Sequence, residues 1–151
     1  MLREELNQSL KSAMKAKDAR TVATVRLILA ALKDRDIAAR GDGNMEGISD
    51  DAILALLQAM IKQRRESIEM YQKGGRPELA QQEADEIGVI ERFMPSPLSD
   101  AEATAAIDAA IAETSAATLK DIGRVMAILK AKYAGRMDFS KAGPAVKAKL
   151  S

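Results

Sequence analysis

An all-α fold is predicted for this 151-residue chain by three observations. Hydrophobic residues make up 47% of it but aromatics only 3%, so the core must be Leu, Ile, Val, Met and Ala, a set that favours helices over sheets. Four prolines and nine glycines leave long stretches uninterrupted. No sustained apolar–polar alternation marks a strand. The expected architecture is two small helical domains: a bundle of about four helices over residues 1–95 and a three-helix tail over 96–151.

The first helix follows from Leu2, Leu6, Leu10 and Met14, which recur every four residues on one face and should run to about Lys17. Asp18 is placed to cap a second helix, about Thr21 to Arg40, with Val22, Val25, Ile28, Leu29, Leu32 and Ile37 as its apolar side. "GDGNMEG", from Gly41 to Gly47, breaks the pattern and reads as an exposed, mobile loop. Ser49 or Asp50 caps the third and longest helix, whose stripe is Ile53, Leu56, Leu57, Met60, Ile61, Ile68 and Tyr71, and Gly74-Gly75 stops it. Arg64 falls inside that stripe, as an anion clamp or as an arginine ion-paired between helices. Pro77 suits a first helical position, and a fourth helix, about Glu78 to Phe93, offers acids to Lys62, Arg64 and Arg65.

"MPSPLSD", from Met94 to Asp100, sets the domain boundary, because two prolines so close cannot continue a helix. Charge changes after it. Ser99 to Leu119 carries four acids (Asp100, Glu102, Asp108, Glu113) and no base; Lys120 to Ser151 carries eight bases and two acids. Ser99 and Glu102 have capping-box spacing for an alanine-rich helix whose large apolar residues are Ile107 and Ile111. After "TSAAT", Thr118 and Asp121 repeat that spacing. The basic helix that follows turns Ile122, Val125, Met126, Leu129 and Tyr133 inward. Gly135 ends it and Asp138 caps the last helix. Pro144 either bends that helix or begins it after a short turn.

The absence of cysteine and histidine removes disulfides, thiolate or imidazole metal sites and Ser-His or Cys-His catalytic pairs. A net charge of +1 announces no global field toward nucleic acid or membrane, and no apolar run approaches membrane-spanning length. The amino-terminal stretch carries acids and no apolar signal core. A soluble cytoplasmic protein without cofactor, resident metal or membrane partner is expected.

The outward side of the basic helix is the candidate site. Gly123, Ala127 and Ala131 form a low surface flanked by Lys120, Arg124 and Lys130, against which a phosphodiester backbone could lie. Gly123 costs about 1 kcal/mol relative to alanine inside a helix and lies away from the core, so it is either a ligand-facing position or the fraying of a helix end.

"RRESIEMYQKGGRPELAQQEADEIGVIERFMPSPLSDAE" and "KDIGRVMAILKAKYAGRMD" together resemble the YqeY-like, or GatB/YqeY, family. The most specific parts are Ser67 to Tyr71 followed by Gly74-Gly75-Arg76, the Met94-Pro95 boundary, and Gly123-Arg124-Val125-Met126. The resemblance implies a carboxy-terminal part similar to the tail domain of the B subunit of the Asp-tRNA/Glu-tRNA amidotransferase, where the tail helps hold tRNA while amide transfer happens elsewhere. By that resemblance Lys120, Gly123, Arg124, Lys130, Lys132 and Arg136 are RNA-binding, with tRNA, an amidotransferase or another translation-related protein as partners. The chain departs from such tails in having Asp138-Phe139 where they often carry Asn-Pro.

The expected function is therefore a tRNA-binding or amidotransferase-associated module with no catalytic site of its own. A helical protein-interaction adaptor is the alternative. Carbon–nitrogen ligase activity with glutamine as amido donor is implied by kinship alone, since the amidotransferase's catalytic portions are missing from these residues. An independent active site would have to use carboxylates such as Glu83, Asp85 and Glu86, which sit among 22 acids on a polar helix.

Overall fold

The computed structural model describes residues 1–151 and contains α-helices, one short 3-10 turn and no strands. The helices are α1 (Leu2–Lys15), α2 (Ala19–Gly41), α3 (Asp50–Lys73), α4 (Pro77–Glu91), α5 (Asp100–Thr114), α6 (Ile122–Lys132) and α7 (Phe139–Leu150), with the 3-10 turn at Leu119–Asp121. The all-α fold expected from composition and periodicity is what forms. Two compact units result, Met1–Met94 and Pro95–Ser151.

In the first unit α3 packs along α4, α1 along α2, and α2 also meets α4. Leu6, Ile28, Ile53, Leu57 and Ile90 are its most deeply buried side chains. The start signals act as their chemistry requires. The Asp18 carboxylate accepts the Thr21 N–H at 3.2 Å, the Ser49 hydroxyl accepts that of Ala52 at 3.2 Å, and Pro77 opens α4, where a missing N–H costs nothing.

Two apolar positions depart from the expected stripes. A four-residue repeat drifts about 40° per step around a helix, so by Met14 the α1 stripe has left the core; Met14 is exposed and Ala13 is buried in its place. On α2 the inward face runs Ile28, Leu32, Asp36, and Ile37 points outward. Asp36 is tolerated there because Arg3 donates to its carboxylate and the Ile48 N–H donates to Oδ1 at 2.9 Å. Arg3 also donates to the Ile48 carbonyl at 2.9 Å. The glycine-rich loop is exposed as expected, but these bonds clasp its second half to α1 and α2. Gly47 is needed in that clasp: its φ is +93°, and a Cβ would stand 2.8 Å from both Arg3 Nη2 and Asp36 Oδ1.

The second unit centres on α6, which packs against α5 and α7. Val125, Leu129 and Val146 are fully buried among Ala106, Ala110 and Ala142. The capping box at the head of α5 is complete: Glu102 N–H donates to Ser99 Oγ and Ser99 N–H to Glu102 Oε1, each at 3.1 Å. The Asp138 carboxylate accepts the Ser140 N–H at 3.0 Å at the start of α7. Of the two readings of Pro144, the helical one holds: α7 is continuous from Phe139 with Pro144 inside it and on its exposed side.

Candidate nucleic-acid interface

The core stripe of α6 fixes which side faces water. Val125 and Leu129 are buried, and Ile122, Met126 and Tyr133 are half-buried beside them. Gly123, Ala127 and Ala131 therefore fall on the opposite side and are exposed. Nothing lies within 4 Å of where a Gly123 Cβ would stand, so no intramolecular packing requires the glycine.

The six sequence-predicted residues separate into three kinds. Lys120, in the 3-10 turn, and Lys130, on α6, are exposed and have no ion pair. Arg124 is exposed too, but its Nη2 donates to Asp121 Oδ1 at 2.5 Å. Lys132 lies about 180° around α6 from Gly123, counting 3.6 residues per turn, and its Nζ is 2.9 Å from Glu113 Oε2 of α5. Arg136 follows α6 and serves the backbone: its Nε donates to the Ser96 carbonyl at 2.9 Å, and its own carbonyl accepts the Leu98 N–H at 2.9 Å. Gly123, Arg124 and Lys130 thus share one outward surface with Lys120 at its approach, while Lys132 and Arg136 are engaged elsewhere.

The electrostatics follow from these partners. The Asp121 carboxyl is lowered to about 2 by the Ala117 N–H, then by the Arg124 guanidinium and the Thr118 N–H. It is ionised at any physiological pH and places a fixed negative charge beside Arg124. Lys132 is raised above its usual value by its hydrogen bond to Glu113. On α7, Lys149 Nζ is held by Asp108 Oδ1 of α5 at 2.6 Å, while Lys141 and Lys147 are exposed without an ion pair. The acids of α5 thus take up two cations of this basic segment. The sequence showed the charge asymmetry; pairings over 19 and 41 residues carried no local signal.

Arg64 resolves toward its ion-paired reading. Its Nε lies 3.1 Å from Glu86 and 4.0 Å from Glu83, and its Nη1 donates to the Met60 carbonyl at 3.2 Å. Burial, then the neighbouring Glu86, pushes Glu83 above the usual carboxylate range against the pull of Arg64. Asp85 is paired with Arg20. The three carboxylates weighed as catalytic candidates are therefore each tied to an arginine within the bundle.

A family model described as Yqey-like protein matches residues 3–150. The chain belongs to the Yqey-like protein family. Similar proteins include altered inheritance of mitochondria protein 41, mitochondrial, of Eremothecium gossypii, 36% identical over 102 residues, covering 67% of this chain and 54% of that protein. The protein of the same name from Meyerozyma guilliermondii is 37% identical over 91 residues, covering 60% of this chain and 45% of its own length. That of Lachancea thermotolerans is 34% identical over 89 residues, with 59% and 46% covered. The chain spans about half the length of the curated relatives it matches. The expectation of a cytoplasmic protein is corrected by these names, each of which carries the word mitochondrial. Neither the lack of a signal core nor that of an apolar span distinguishes the cytoplasm from an organelle interior. No helix is long and apolar enough to cross a membrane.

Proposed function

We propose that this Yqey-like protein binds RNA of the tRNA class through the outward side of α6, as a module that positions the RNA and performs no chemistry on it. The observation that carries the reading is the open surface at Gly123, Ala127 and Ala131, edged by the unpaired ammonium groups of Lys120 and Lys130 and the exposed guanidinium of Arg124. Small side chains let a sugar–phosphate backbone approach the helix, and each of the two free ammonium groups can neutralise one phosphate. The scarcity of aromatics leaves little for base stacking, which favours recognition of backbone and shape. The resemblance of this unit to an amidotransferase tail supports tRNA over other polyanions. Lys132 and Arg136 contribute on this reading by holding α6 and the following turn in place.

With about two phosphate contacts, from Lys120 and Lys130, the logarithm of the affinity should fall with the logarithm of salt at a slope of about −1.4 to −1.8. Fluorescence anisotropy with a labelled tRNA across a salt series checks this. Lys120→Glu with Lys130→Glu should weaken binding and flatten the slope, whereas Lys11→Glu with Lys15→Glu on α1, an equal change in net charge, should leave both nearly unchanged. Equal losses in the two double variants, or none in the first, would defeat the assignment.

A further inference from the structure

Between α2 and α3 the first unit leaves an open groove of about 520 Å³. These helices are antiparallel. At one end Ile48, just before α3, is bonded to Asp36 near the end of α2; at the other, Arg20 and Arg64 reach the adjacent α4 residues Asp85 and Glu86. They meet far less extensively than α3 and α4 do, and the gap between them forms the groove.

Its lining has an order along the groove. Ala31 of α2 and Ala59 of α3 lie at the middle. Toward the end of α2 stand Asp34 and Arg35; toward the end of α3 stand Lys62 and Glu66, with Leu27 of α2 beside them. Asp34, Arg35, Lys62 and Glu66 are exposed, and none has an ion pair in this chain. Leu27 is 48% exposed, among the most exposed large apolar side chains of the helices.

We infer that this face binds a second copy of the chain about a two-fold axis that lies in the interface and crosses the groove at Ala31 and Ala59. Such an axis brings each end of the groove against the opposite end of its partner. Asp34 of one copy then meets Lys62 of the other, and Arg35 meets Glu66, so all four unpaired charges gain a partner of opposite sign and each pairing occurs twice. The two alanines at the middle let the backbones approach, and Leu27 is covered by the aliphatic stem of Arg35 from the facing copy. A partner of uniform charge has no such match, because each end of the groove carries both signs. This inference is independent of the RNA reading, whose residues lie on other helices.

Sedimentation equilibrium of the full chain over a concentration series tests it. The wild type should dimerise. Arg35→Glu places like charges together and should weaken the dimer about tenfold or more, and Arg35→Glu combined with Glu66→Arg should restore it. The chain lacks cysteine, so Ala59→Cys introduces a single thiol close to the axis and should cross-link covalently on oxidation. Circular dichroism of each variant separates loss of folding from loss of association. A monomer at every concentration, including one that captures some other protein at this face, overturns the inference, as does a dimer indifferent to Arg35→Glu or not rescued by the double exchange.

Discussion

Leu57 and Ile90, buried in the first unit, have as counterparts in the second Ala106 and Ala110 beside Val125 and Leu129. The first unit fills its interior with long aliphatic side chains from four helices. The second draws on alanines of α5 and α7, with fewer large residues between them. Dispersion and apolar burial scale with the atoms removed from water, so the first core gains more per residue. The second unit supplements a thinner core with fixed polar contacts: a capping box, Arg136 on the Ser96 carbonyl, and the α5 carboxylates on Lys132 and Lys149. Such exposed ion pairs are each worth little, so their arrangement serves register more than stability. One consequence bears on function. Acids that tie down Lys132 and Lys149 leave Lys120 and Lys130 as the free cations of α6 and its approach.

Opposite substitutions should break this contrast. Leu57→Ala should destabilise the first unit by about 2–5 kcal/mol through lost transfer energy and a residual cavity. Amide hydrogen exchange in α3 and α4 should report the loss while α5–α7 protection stays as in the wild type; equal losses throughout would mean that the two cores do not unfold separately. In the second unit the sensitive change is enlargement. Ala110→Leu, at a side chain 2% exposed, should cost about 1–3 kcal/mol by overpacking, measured by urea unfolding followed at α5–α7 amides. A neutral outcome would show that α5 has room to move outward.

The smallest expected effect sharpens the polar half of the comparison. The Asp121 carboxyl is held at about 2, below its usual 3.8, so its contribution is complete above about pH 4 and is lost as pH falls through the folded value. The Ala117 and Thr118 amide resonances, whose N–H groups donate to it, should shift only on approach to pH 2. A midpoint at the ordinary aspartate value would mean that the bonds do not persist in solution.

Much of the first level of structure was legible because its causes are local. Asp18, Ser49, Ser99 and Asp138 cap helices as their spacing implied, and Gly74-Gly75 stops α3. The inward stripe of α6 could be read because a period of 3.6 residues places Val125 and Leu129 together and Gly123 opposite. Met14 and Ile37 fall outside the core because small angular offsets accumulate along a helix, so that Ala13 and Asp36 take the inward positions beside them. Arg3 and Asp36 gave no warning of each other across 33 residues, nor did Arg20 and Asp85 across 65.

The sequence by itself determined the helices, their caps, the inward face of α6 and, through its lack of cysteine and histidine, the chemistry beyond its reach. Those properties depend on neighbours within a turn or two and on which atoms exist at all. Only the tertiary structure decided which charges remain free. Arg64 could have been a clamp, and Lys132 could have faced solvent with Lys130; packing brought Glu86 to the one and Glu113 to the other. A cation is available to a ligand only after its own chain has been served, and distant parts of the chain settle that only by meeting.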